Sequence, residues 1–272
     1  MRADMDMNGS APTLYRQAWG ASKRTIKKGV SSLRIAVLIF ILIDHIVADV
    51  IYIFNDIVIE FLMLALLVYA LTAPLKIGLI RISSQYLAGE KPTVKTLFAP
   101  YRSPNAAMCL GLMRNGIRYC LLYFSVMIHN YAYANQDFAL YVVAEIIRIA
   151  AYSYFIFYTF AFFPVDYIIS KNESIKLSSA LKYAWSKMKG RRIEVLKLKL
   201  SLVWFSIATE MIGPLVLSRF FVGFEYILSH TLIAVLLYIL FAPLVYVCNT
   251  SMSILVTNTS GRSYTNQIED GS

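Results

Sequence analysis

Eight ionisable residues lie where the surrounding chain is almost wholly apolar: Asp44, His45, Asp49, Arg114, Arg118, Glu145, Arg148 and Glu210. A charge at the centre of a bilayer costs about 2.5–3.5 kcal/mol on insertion scales, so such groups should face one another or water rather than acyl chains. Arg114 and Arg118 are i,i+4, and Glu145 and Arg148 are i,i+3, so each pair occupies one helix face. Two kinds of chemistry follow. The charges form neutralising ion pairs that fix helix register, or they line a polar cavity. Such a cavity would bind an anionic headgroup or metabolite, or carry protons through Asp44, His45, Asp49 and Glu210. On either reading they are expected to converge on one interior, with an Arg–Glu network across a helical hairpin leaving an Arg for Asp44, Asp49 or Glu210.

Other chemistries find less support. His45 and Asp49 are one turn apart, and imidazole and carboxylate suit zinc-like ions. No HExxH or paired-His spacing accompanies them, so no metal and no other cofactor is assigned. A Walker-type phosphate loop, a GxSxG elbow and a Cys–His pairing are all missing from the sequence. A non-enzymatic role is therefore expected. A membrane enzyme acting on lipid headgroups would need Asp44 or Asp49 open to an aqueous or interfacial cavity.

The elements that must position these residues are membrane helices. Of the 272 residues 58% are hydrophobic and 15% charged, against about 45–50% and roughly 25% in soluble domains. The net charge of +10 lies between the apolar runs, as loops facing anionic lipid headgroups require, and no nucleic-acid-binding module goes with it. Nucleic acid is not an expected partner. Cys109, Cys120 and Cys248 are an odd, dispersed set and read as small core residues.

The apolar runs predict an all-α, polytopic membrane protein of six transmembrane helices, at about 33–54, 57–80, 106–128, 138–168, 194–216 and 226–256, arranged as three hairpins. The first run is as long as a span and has no small-residue cleavage site, so it reads as a retained helix. Residues 1–32 form a basic cytoplasmic segment, 33–256 the membrane domain and 257–272 a polar cytoplasmic tail. In the N-terminal segment Tyr15 and Trp19 sit four apart, the pattern of a short interfacial helix. Residues 81–105 and 130–137 are expected to be loops. Seven Lys or Arg fall within 1–34, five within 76–102 and nine within 170–199, which puts both termini on the cytoplasmic side of a cell membrane. Sequons at Asn172, Asn249 and Asn258 carry no information in such a placement.

A weak internal repeat accompanies this pattern. A Tyr precedes Pro74, Pro164 and Pro243 by five or six residues, and the three prolines are 90 and 79 apart. Each is expected to close an even-numbered span. The connection 170–193 carries an amphipathic helix between Ser174, as N-cap, and Gly190, as C-terminal cap. Leu177, Leu181, Ala184, Trp185 and Met188 supply its apolar side. Lys176, Lys182, Lys187 and Lys189, followed by Arg191 and Arg192, supply a surface for anionic membrane lipids. The same surface suits docking to another membrane protein or to a second copy of the chain.

Several of these stretches resemble a known family. Phe155 to Asp166, then Ser178-Ser179-Ala180-Leu181-Lys182, Ser186-Lys187-Met188-Lys189-Gly190 and the Leu-rich run ending at Trp204 look like the C-terminal half of the bacterial integral-membrane family called "domain of unknown function 975". Gly78 to Phe98, with its Gly89-Glu90-Lys91-Pro92 turn, fits that family's earlier loop. The resemblance spans roughly residues 65 to 250, and it departs where the family carries a Pro-Tyr pair and this chain has Pro243-Leu244. It implies a bacterial inner or plasma membrane and six spans, and brings no activity or catalytic residues. Taken together, the expectation is binding or transport of a small or lipid-like anionic ligand through a polar intramembrane cavity. The rival expectation is a structural or regulatory partner of another membrane complex.

Overall fold

Every regular element among the described residues is helical, as the 3.6-residue apolar periodicity requires. The computed structural model describes residues 13–53, 58–172, 174–207 and 224–258, with the side chains of 44–65, 119 and 204–238 outside the description. The elements in order are α1 (Leu14–Lys27), α2 (Ser31–Ile53), α3 (Val58–Leu87), a 3-10 turn (Val94–Arg102), α4 (Asn105–Gly111), a π-helical segment (Leu112–Gly116), α5 (Ile117–Asn135), α6 (Phe138–Ala161), α7 (Val165–Lys171), α8 (Leu177–Met188), α9 (Arg192–Ile207) and α10 (Phe224–Asn258).

Three segments among the described residues are long and apolar enough to cross a membrane: Leu66–Leu87, Phe138–Ala161 and Ile239–Asn258. On α6, Phe138 is 78% and Ile149 64% exposed, an arrangement suited to acyl chains and ill suited to water. Six spans and three hairpins are not what the described residues display. The helices α5 and α6 do pack as a close antiparallel pair, whereas α10 lies mainly against α1, α2 and α3 and only slightly against α9. The α5–α6 pair uses small residues, with Ala132, Ala144 and Ala151 buried and the Ser125 hydroxyl donating to the Ala144 carbonyl at 2.8 Å. Close backbone approach of this kind is how helices associate without a hydrophobic drive from water.

Several expected boundaries move. Pro74 and Pro243 lie inside α3 and α10 and end neither helix. A proline removes the backbone donor that would meet the carbonyl four residues back, that of Ala70 for Pro74; the Tyr101 hydroxyl donates to the neighbouring Leu71 carbonyl. Pro164 behaves differently: α6 stops at Ala161, and α7 begins at Val165. The expected loops shrink as well, since α3 runs to Leu87 and α5 to Asn135. Between α5 and α6 only Gln136, at φ +55°, and the N-cap Asp137 remain. The Asp137 carboxylate accepts from the Leu140 N–H at 3.1 Å. In α8 the N-cap position is Lys176, not Ser174, whose hydroxyl and N–H both donate to the Asn172 side chain. Gly190 takes φ +77° just beyond the helix, the left-handed geometry expected of a terminating glycine. Helix α1 forms over the Tyr15–Trp19 stretch, but Ala18 and Ser22 are buried and its aromatics pack on a cluster shared by α9 and α10.

Three apolar clusters hold these elements. One joins α2, α3, the 3-10 turn and α10; a second joins α3, α4, α6, α7 and α8; a third joins α1, the end of α8, α9 and α10. Gly78 allows the tightest approach, because a Cβ there would lie 2.1 Å from the Leu97 carbonyl oxygen. Backbone cannot step aside as a flexible side chain can. Gly78→Ala is therefore expected to destabilise by at least the ~1–3 kcal/mol typical of overpacking, seen as a lower melting temperature in detergent. An unchanged melting temperature would contradict the contact between α3 and the 3-10 turn.

Candidate functional site

The site begins with a break in helical register. Gly111 precedes the π-helical segment and Gly116 ends it, and both press against α3: a Cβ on Gly111 would lie 2.6 Å from the Tyr69 carbonyl oxygen, and one on Gly116 would lie 2.9 Å from Leu66 Cδ2. Bonding of the i→i+5 kind stacks residues five apart, so the two glycines meet the same neighbour. A regular α-helix would turn one of them away. The Tyr154 hydroxyl donates to the Met113 carbonyl inside the segment at 2.7 Å.

Arg114 sits in this segment, 8% exposed, and donates through one terminal nitrogen to both oxygens of Asp166 at 3.1 and 2.9 Å. Asp166 comes from the first turn of α7, just beyond the Phe162–Pro164 break. Burial pushes the Asp166 carboxyl up, but the charges of Arg114 and Lys76, the hydrogen bonds from Arg114 and the charge of Lys199 outweigh it and hold the carboxyl below its ordinary value. The pair thus fastens the π segment to α7.

Around it lies a cavity of about 380 Å³. Lys76 of α3, Arg114, Arg118 of α5 and Lys199 of α9 line it, with Asp166 the one carboxylate among the described lining residues. The Arg118 guanidinium stacks over Phe155, 4.5 Å from the ring centroid, and the Lys199 ammonium lies 5.2 Å from that of Phe163. Aromatic faces stabilise cations without neutralising them. Neutral polar groups complete the wall: Tyr158 of α6, and Asn249, Thr250 and Ser253 of α10. Four buried polar atoms of residues in this wall have no hydrogen-bond partner among the described residues, namely Arg118 Nε, Tyr158 Oη, Asn249 Oδ1 and Thr250 Oγ1. Buried groups of this kind each cost about 1–3 kcal/mol when left unsatisfied, and native proteins satisfy nearly all of them.

The residues expected from sequence to converge do so only in part. Arg114 and Arg118 meet at the cavity. Glu145 and Arg148 are not in its wall: they pair with each other within α6, and His129 Nδ1 approaches the Glu145 carboxylate at 3.8 Å across the hairpin. Their partners are thus local, because i,i+3 geometry satisfies both charges on one helix. Asp44, His45 and Asp49 lie on α2 but outside the described side chains, and Glu210 lies outside the described residues. On the α8 side, Lys176, Lys182 and Lys189 are exposed. Arg192 stacks over the ring of Trp185 at 4.7 Å, and Lys187 lies over that of Tyr183 at 5.0 Å. Arg191 turns inward and donates to the Val256 carbonyl near the end of α10. Cys109 is exposed and only Cys248 is buried, so the three cysteines are not a uniform set of core residues.

Lys76, Asp166, Lys199, Asn249 and Thr250 were not among the candidate site residues expected from sequence. The two lysines counted there as loop charges and Asp166 as the end of a span. Among the described residues no three His, Cys, Asp or Glu side chains come together to hold a metal. What the arrangement can do is receive an anion. No family model, curated protein or solved structure matches the chain.

Removing one partner of a buried ion pair strands the other charge, at about 3–5 kcal/mol. Asp166→Asn should lower stability by that amount, measured by thermal unfolding in detergent, because it strands Arg114 beside other cations, and Arg114→Gln should lower it less, because Lys76 and Lys199 still act on the Asp166 carboxylate. Because the folded carboxyl titrates below its unfolded value, the stability it contributes is present above the unfolded range near pH ~4 and fades as pH falls through the folded value. Asp166→Asn should flatten that acid decline. Equal acid sensitivity in wild type and variant would contradict the pair.

Proposed function

We propose that this chain is a non-enzymatic bacterial cell-membrane protein that binds, and passes across its membrane domain, a small or lipid-like anionic ligand held in the cavity around Arg114 and Arg118. One observation carries the reading: beyond the Arg114–Asp166 pair, Arg118 and Lys199 line one cavity and rest on the faces of Phe155 and Phe163. A bound anion would offset their charge and accept hydrogen bonds from them. The cavity volume falls in the range of small-molecule sites, about 300–1,000 Å³.

The finer topology belongs to the same proposal. Six spans with both termini cytoplasmic agree with the Lys and Arg distribution, and the exposed Lys176, Lys182 and Lys189 of α8 would then meet anionic headgroups on that side. The resemblance to the domain of unknown function 975 brings no activity, so the ligand class rests on the cavity.

Protein extracted in mild detergent should retain an anionic species, detected by native mass spectrometry. Arg118→Gln removes the charge and the Nε donor, and retention should fall roughly tenfold to a hundredfold, the worth of a charged hydrogen bond. Wild-type protein that retains no anion, or a variant that retains it equally, would overturn the reading.

A further inference from the structure

A second cavity, of about 350 Å³, shares no described lining residue with the one around Arg118. Ile43 of α2, Val68, Leu71, Thr72 and Leu75 of α3, and Phe98 and Tyr101 of the 3-10 turn form its wall. Only Thr72 and Tyr101 among these bear a polar side-chain group, and the Tyr101 hydroxyl already donates to the Leu71 carbonyl. Water in such a groove would find few partners, so an apolar guest suits it. Val68 to Leu75 covers about 10 Å of helix. The floor belongs to Leu66–Leu87, long and apolar enough to cross a membrane. Leu67 and Leu71, one turn apart on it, are both exposed, so the groove is continuous with a surface suited to acyl chains.

The 3-10 turn gives the groove a direction. At three residues per turn, every third side chain falls on one face. Leu97 and Pro100 are buried, whereas Lys95, Phe98 and Tyr101 share a second face and are all exposed. The Leu97 carbonyl meets α3 at Gly78, and Tyr101 reaches Leu71, nearer the start of that helix. Lys95 therefore lies toward the Leu87 end of the span and the two aromatics toward its middle. Lys91 is exposed at the same end, next to Pro92, whose carbonyl accepts from the Ser32 hydroxyl at 2.7 Å. Residues 91–105 include no Asp or Glu. Lysine, then aromatic rings, then an aliphatic wall follow the order of environments along a phospholipid, from headgroup through the interface to the chain. We propose that this groove holds one anionic phospholipid, its phosphate at Lys95 and one acyl chain against Leu71 and Leu75 beside Phe98 and Tyr101.

Photolabelling of the full-length protein in phosphatidylcholine nanodiscs tests this. The probes are phosphatidylglycerol and phosphatidylcholine, each carrying a diazirine in one acyl chain, with adducts mapped by peptide mass spectrometry. Adducts of the phosphatidylglycerol probe should concentrate at Val68–Leu75 and Phe98–Tyr101 over the exposed Ile146 and Ile149 of α6. They should exceed those of the phosphatidylcholine probe at the groove about fivefold, the worth of one Lys near an anionic surface. Lys95→Gln, at an exposed position, should bring that ratio close to one. Adducts no denser in the groove than on α6, equal labelling by the two probes, or a preference that survives Lys95→Gln would each overturn the inference. A groove shielded from both probes in a chain that runs as a dimer would assign it to a second copy and overturn it equally.

Discussion

The contact between Arg114 and Asp166 is the constraint from which the arrangement of this protein follows. It ties a π-helical turn to the first turn of a helix that follows an interruption of helix at Phe162–Pro164. Each end would be awkward alone. The π segment exists because Gly111 and Gly116 must both face α3, and the break exists because Pro164 ends α6. Joined, they hold Arg118 on the following turns of the same helix, stacked on Phe155, and they bring α7 under the cavity.

The ion pair also settles which charges are spoken for. Asp166 engages Arg114 directly and acts at longer range on Lys76 and Lys199. Arg118 and Lys199 instead rest on aromatic faces, which stabilise a cation without cancelling its charge. Tyr158, Asn249 and Thr250 add neutral polar groups to the same wall. The proposed anion would meet both charge and hydrogen-bonding groups there.

Much of the fold was legible in the chain because long apolar runs have few alternatives to helix, and charges stranded within them attract notice. Arg114 and Arg118 were found that way. The helix ends were harder. Pro74, Pro164 and Pro243 look alike in sequence, yet two lie within helices and one falls where a helix stops. Lys76 and Lys199 were hidden because charge near a helix end reads as a loop facing headgroups, and only tertiary packing turns them inward. Glu145 and Arg148 show the reverse, since charges deep in a span can be satisfied on their own helix. Neutral residues such as Asn249 and Thr250 carry no sequence signal of their own. The spacing of Gly111 and Gly116 around Arg114 did carry one: five residues apart suits a π turn, not an α turn.

The central claim is that the pocket bounded by Arg118, Tyr158 and Thr250 is built around a guest. A high-resolution map of the protein taken directly from its native membrane addresses it most directly. The account predicts density for an anion in contact with Arg118. A pocket filled by the chain's own side chains, with the Arg118 guanidinium bonded to them, would contradict it.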